Sequence, residues 1–143
     1  MISADLIIVE LKATSKRQAF QAIAGETAPL FRGSPEILLT ALLDRERIGS
    51  TGIGCGVAIP HIRLEKIDRM YSVLAKLEKP VDYDAVDGQP VDIIFTLLAP
   101  AADKTTLHLK ALAQISRLLR DPSTCGALRA ADDRDKIIRV LEN

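Results

Sequence analysis

The chain has 143 residues, 19 Lys+Arg against 19 Asp+Glu, and two histidines, giving a formal net charge of zero. That balance argues against binding to nucleic acid or insertion into an anionic membrane surface, both of which draw on a basic excess. A 48% hydrophobic content argues against disorder, and the 3% aromatic content leaves a core of Leu, Ile, Val and Ala with little to stack on bases or sugars. One domain, residues 1–143, is the expectation at this length. Cys55 and Cys125 lie far apart with no CxxC, HExxH or His-rich tract, so no metal site is expected. The start MISADLIIVELK lacks the basic lead and apolar stretch of a secretory signal. No apolar run approaches the roughly 20 residues of a membrane-spanning helix. A cytoplasmic protein with free thiols is expected.

Leu6 to Leu11 is an apolar, β-branched run and predicts a strand. Ser15 and Gln18 have the spacing of a capping box, and Ala19, Phe20, Ile23, Ala24 and Phe31 keep helical spacing through about residue 30. Lys16 and Arg17 oppose that start, because cations are unfavourable at a helix N-terminus. Gly33 breaks the pattern, and Ser34-Pro35 supplies an N-cap and a first-turn proline for a second helix carrying Ile37, Leu38, Ala41, Leu42 and Arg45.

Residues 49–66, GSTGIGCGVAIPHIRLEK, hold four of the chain's eight glycines. Pro60 biases Ile59 to an extended conformation, so Val57 to Ile59 is read as a short strand presenting His61 at its end. Met70 to Leu77 is a further strand, Asp87-Gly88 a turn, and Val91 to Ala99 a strand buried on both faces. A long helix is predicted from about Lys104 to Arg120. Ala111, Leu112, Ile115, Leu118 and Leu119 form its buried stripe, with His108 on that stripe at the first turn. Asp121-Pro122 ends it, and short helices over Pro122–Ala130 and Asp133–Glu142 complete one α/β domain.

The glycine-rich loop fails as a nucleotide cradle: Gly49 to Gly54 is followed by Cys55 rather than lysine, and Gly52, Gly54 and Gly56 alternate ahead of a strand. A turn that needs glycine conformations is the simpler reading. Cys55 and His61 are six residues apart on an extended segment, about 20 Å at ~3.3 Å per residue, too far for a nucleophile and its base. His61 follows a strand end and a glycine-rich loop, where functional side chains are commonly displayed. His108 reads equally as a core residue or as a site residue at a helix N-terminus, whose free amides suit an anion. Arg45 and Arg47 either complement the helix dipole in solvent or, leading into the loop, hold a phosphoryl group. Asp132, Asp133, Arg134 and Asp135 read as a solvated surface.

Three runs, RERIGSTGIGCGVAIPH (Arg45 to His61), PVDYDAVDGQPVDIIFTLLAP (Pro80 to Pro100) and HLKALAQISRLL (His108 to Leu119), carry a family resemblance over nearly the whole chain. The sequence resembles the enzyme IIA domain of the fructose/mannitol class of the phosphoenolpyruvate-dependent phosphotransferase system, and most of all its nitrogen-regulatory branch. The resemblance implies a mixed β-sheet flanked by helices, with the site at one edge of the sheet. It also implies a phosphoryl carrier with no bound cofactor. His61 matches the phosphorylated histidine, attacking through Nε2, while His108 and Arg45 match the second histidine and the active-site arginine. The implied phosphate source is a histidine-containing phosphocarrier protein, charged by enzyme I. The onward partners are regulatory target proteins or, alternatively, a sugar-specific IIB domain. With no IIB or membrane segment in the sequence, a stand-alone regulator is expected. Loop amides from Ser50 onward are expected to assist Arg45 and His108. Ile62 stands where the family often has glycine, which raises a question about the local backbone after His61.

Overall fold

Strand and helix follow the sequence periods closely. In the computed structural model, which describes residues 2–142, the strands are β1 (Leu6–Leu11), β2 (Gly52–Gly54), β3 (Val57–Ala58), β4 (His61–Leu64), β5 (Tyr71–Val81) and β6 (Val91–Pro100). The α-helices are α1 (Lys16–Thr27), α2 (Pro35–Ile48), α3 (Leu107–Leu119), α4 (Pro122–Ala130) and α5 (Arg134–Glu142), with a 3-10 turn at Ala28–Phe31. The six strands form one mixed open sheet in the order β1-β5-β6-β3-β2, and β4 pairs with β6 beyond the end of β3. β5 and β6 are antiparallel, whereas β1 runs parallel to β5, and β3 and β4 run parallel to β6.

β6 is buried at every position except Asp92 and Pro100, as a strand covered on both faces must be. Alternation along the strands divides the apolar residues between two cores. Ala58, Ile62, Ala75, Ile94 and Leu98 meet α1 and α2 around Phe20 and Ile23. Val57, Ile59, Leu74, Ile93, Phe95 and Leu97 meet α3, α4 and α5 around Ile115 and Leu119. Each fully buried side chain of this size contributes about 1.5–3 kcal/mol relative to exposure.

The helix starts show their capping chemistry. Ser15 Oγ accepts from Gln18 N at 3.1 Å, Ser34 Oγ from Ile37 N at 3.3 Å, and Asp121 Oδ1 from Ser123 N at 3.1 Å. The expected box at α1 is offset by one residue, because Gln18 Oε1 accepts from Thr14 N (2.8 Å) and not from the Ser15 amide. Lys16 is tolerated at that helix start because its ammonium leaves the helix. It donates to the buried Glu46 carboxylate at 3.2 Å and to the Tyr83 carbonyl at 2.8 Å. α1 also stops at Thr27, and Phe31 belongs to the 3-10 turn, not to the helix.

Three strands differ from the sequence reading: β5 runs on past Leu77 to Val81, and two more lie around the glycine loop and His61. The glycine loop contains β2, which pairs antiparallel with β3 (Gly52 with Ala58) to make a hairpin whose tip is Gly54-Cys55-Gly56. The strand of Val57 and Ala58 does not end ahead of His61. It pauses at Ile59-Pro60 and resumes as β4 with its register unchanged: Val57 pairs with Ile93, and His61, four residues on, pairs with Leu97. Pro60 has no amide to donate, but its carbonyl still accepts from Leu97 N at 2.9 Å, so the chain keeps its track along β6. His61 therefore opens a strand segment at the sheet edge instead of hanging from a strand end.

Candidate functional site

β4 is an edge segment, paired on one side only. Side chains along it alternate: Ile62 and Leu64 enter the core under α1 and α2, while His61 and Arg63 share the opposite face. Ile62 is 9% exposed, so the β-branched residue after His61 fits an extended, inward-facing strand position. Beside β4 lies a cavity of about 410 Å³ that wraps round the sheet edge from α2 to α3. Arg45 reaches it from α2, His61 and Arg63 from β4, and His108 from α3, among apolar walls that include Ile48, Leu109 and Leu112. The structure thus brings together the three residues singled out in the sequence, His61, His108 and Arg45, and adds Arg63.

Each side chain has a defined local partner. His61 Nδ1 stands 2.9 Å from the Ile59 carbonyl oxygen. A carbonyl only accepts, so Nδ1 carries the proton and Nε2 of the neutral ring keeps its lone pair free. Arg45 Nη1 donates to the Gly49 carbonyl at 2.9 Å, closing the C-terminus of α2 while the residue lines the cavity. His108 lies on the stripe that continues through Ala111, Leu112, Ile115 and Leu119, of which Ile115 and Leu119 are fully buried. Its Nε2 is 3.0 Å from Arg63 Nη2, and its Nδ1 is buried with no hydrogen-bond partner. Nearby, hydrogen bonds from the Thr105 amide and then the Thr105 hydroxyl hold the Asp103 carboxyl below its ordinary value, with a smaller contribution from the Arg63 charge.

Other candidates lie elsewhere. Arg47 pairs with Asp44 on the exposed side of α2. Cys55 occupies the hairpin tip, its amide donating to Asp87 at 3.0 Å and its carbonyl accepting from Arg129 at 2.8 Å, and it does not line the His61 cavity. The amides of Thr51 and Gly52 are likewise taken inside the chain, by the Glu46 carboxylate at 3.2 Å and by Ser50 Oγ at 3.1 Å. Among the described residues, no group of three or more His, Cys, Asp or Glu side chains could hold a metal ion, and no helix is long and apolar enough to cross a membrane.

Arg63 was missed in the sequence because a segment following proline reads as a loop, where a side chain two residues on has no fixed direction. Had HIRL been taken as a strand, its period of two would have put Arg63 beside His61.

At one edge an open α/β sheet thus carries a histidine with a free Nε2, and a second histidine and two arginines line the same cavity, a set of groups able to bind an anionic oxygen array. The family model of the phosphoenolpyruvate-dependent sugar phosphotransferase system, EIIA 2, matches residues 1–143, and the chain belongs to that family. It is 43% identical over 141 residues to a nitrogen regulatory protein of Bradyrhizobium diazoefficiens, covering 99% of this chain and 92% of that protein. Its identity to a nitrogen regulatory protein of Escherichia coli is 41% over 128 residues, or 89% of this chain and 78% of that one. Among solved structures, the nitrogen regulatory protein IIA-Ntr of Neisseria meningitidis superposes with a TM-score of 0.88 at 29% identity, over 95% of this chain and 92% of that one.

Proposed function

We propose that the protein is a phosphoryl carrier that accepts phosphate on His61 Nε2 from the phosphohistidine of a phosphocarrier protein, and regulates partner proteins according to its phosphorylation state. The observation that carries this reading is the Nδ1–H bond to the Ile59 carbonyl, which leaves Nε2 as the one nucleophilic nitrogen of a ring that lines the cavity. The Nε2 lone pair attacks phosphorus, the donor's N–P bond breaks, and its electron pair returns to the donor imidazole. No proton changes hands, because Nδ1–H stays on the carbonyl. Charge on the transferring group spreads over its equatorial oxygens, so the protein's part is positioning and electrostatic stabilisation. The Arg45 guanidinium, which lines the same cavity, is the group assigned to that stabilisation, with His108 at the cavity's other side. Similarity to relatives named nitrogen regulatory proteins supports a regulatory output over sugar transport.

Incubation with phosphoenolpyruvate, enzyme I and a histidine phosphocarrier protein, followed by intact mass, tests the reading. One acid-labile, alkali-stable phosphate is expected on the protein and none on His61→Ala. Stable phosphate on His61→Ala would overturn the assignment. Onward transfer to a sugar-specific IIB protein would turn the output toward transport.

A further inference from the structure

Arg63 donates to His108 Nε2 at 3.0 Å, and that direction is fixed, because a guanidinium has donors only and does not lose its charge. His108 Nε2 is therefore an acceptor, and the neutral ring carries its proton on Nδ1, which is buried without a partner. In this state His108 cannot donate from Nε2 into the cavity. Arg63 keeps further N–H donors after that bond is made. It shares a strand face with His61, two residues away, where the strand rise sets the Cα atoms about 7 Å apart. Both side chains line the same cavity.

We propose that Arg63 is a second cation, beside Arg45, that contacts the phosphoryl group on His61, and that His108 acts through it as a positioning residue, holding the guanidinium over the site by accepting its hydrogen bond. The inference rests on the carrier reading and deepens it. Arg45 and Arg63 each spend one donor, on the Gly49 carbonyl and on His108 Nε2, but only the partner of Arg63 is another side chain lining the cavity. A planar fork held at one edge by an imidazole presents its remaining donors with little orientational freedom left to lose, which favours a trigonal array of phosphoryl oxygens.

A double-mutant cycle tests the coupling. Rates of His61 phosphorylation by the phosphorylated phosphocarrier are measured, by quenched intact mass, for wild type, Arg63→Gln, His108→Ala and the double variant. Arg63→Gln should slow transfer on the order of 10–100-fold, the range for losing a charge-assisted hydrogen bond. Arg63→Lys should recover part of that loss. His108→Ala should slow transfer less than Arg63→Gln, and the double variant should be no slower than Arg63→Gln within about 2-fold. Multiplied effects in the double variant, or a full rate in Arg63→Gln, would overturn the proposal. Ring-nitrogen NMR of the unphosphorylated protein gives a separate readout. His108 should show Nδ1–H with Nε2 as acceptor, and that tautomer should be lost in Arg63→Ala, which leaves no donor there; a wild-type His108 protonated on Nε2 would refute the coupling. Failure of wild type to accept phosphate would refute the carrier reading instead, and the tautomer would still decide the link between Arg63 and His108.

Discussion

Gly56 sits at φ 82° in the hairpin tip, and a Cβ there would stand 2.6 Å from Arg129 Nη2 and 3.1 Å from Asp92 Oδ1. Those two side chains form a bidentate pair, with Arg129 Nε 2.9 Å from Asp92 Oδ2 and Nη2 2.9 Å from Oδ1, and Arg129 also holds the Cys55 carbonyl. The small residue is thus required twice, for its backbone angle and for the clamp beside it. Gly25, inside α1, has open space within 4 Å of where a Cβ would sit, and carries only the entropic disadvantage of glycine in a helix. Gly56→Ala is expected to lower the urea midpoint by the equivalent of about 1–2 kcal/mol or more, and Gly25→Ala to raise it by about 0.5–1 kcal/mol, with unchanged m-values. Equal effects at the two positions would contradict the clamp. The sequence showed that the glycines of residues 49–56 make a turn and not a phosphate cradle. It did not show which of them is irreplaceable, because Arg129 arrives from a helix far along the chain.

At the scale of elements, one buried polar network ties α1, α2, the glycine loop and the segment before β6. Glu46 accepts from Lys16 Nζ (3.2 Å), Thr51 Oγ1 (2.6 Å) and the Tyr83 hydroxyl (3.3 Å), and Tyr83 Oη also lies 2.7 Å from Thr51 Oγ1. Burial pushes the Tyr83 phenol well above its ordinary range, and the nearby Glu46 carboxylate adds to the effect. Glu46→Ala would leave the Thr51 amide without its acceptor and Lys16 with only the Tyr83 carbonyl, and is expected to cost about 3 kcal/mol, against about 1 kcal/mol for Tyr83→Phe. The shifted phenol also has a pH signature. Above about pH 10 the unfolded chain releases the tyrosine proton while the folded chain retains it, so Tyr83 favours unfolding by up to about 1.4 kcal/mol per pH unit. Stability measured from pH 9 to 11 should fall less steeply in Tyr83→Phe than in wild type; parallel slopes would show that the phenol titrates normally. The long elements of this fold were legible from periodicity, and Ser34, Pro35 and Asp121-Pro122 marked helix ends correctly. β2 and β4 were not legible, because Gly-Ile-Gly and a segment behind proline carry loop chemistry, and only the neighbouring β3 and β6 make them strands. Lys16 looked misplaced for a related reason: its partners lie 30 and 67 residues away.

For the whole molecule, β5 and β6 supply side chains to both cores, so neither layer of helices has a sheet of its own. Phe20→Leu on α1 and Leu119→Ala on α3 therefore belong to one cooperative unit. Each should shift a single thermal transition with matching calorimetric and van't Hoff enthalpies, Leu119→Ala by the equivalent of about 2–5 kcal/mol. Two resolved transitions in either variant would show that the layers unfold independently. The family resemblance pointed to His61, His108 and Arg45 from their motifs, and the structure gathers them at one cavity. Arg63 depended on a strand direction that only the folded sheet reveals.

The unbroken track of β3 and β4 along β6 has a further consequence. The Nδ1 side of the His61 ring is tied to a carbonyl two residues upstream on the same rail. The exposed Ile48 and Leu109 line the same cavity but take no part in that hydrogen bond. Changing those two side chains should therefore alter which surface docks at the cavity and leave the tautomer of the imidazole behind it as it is.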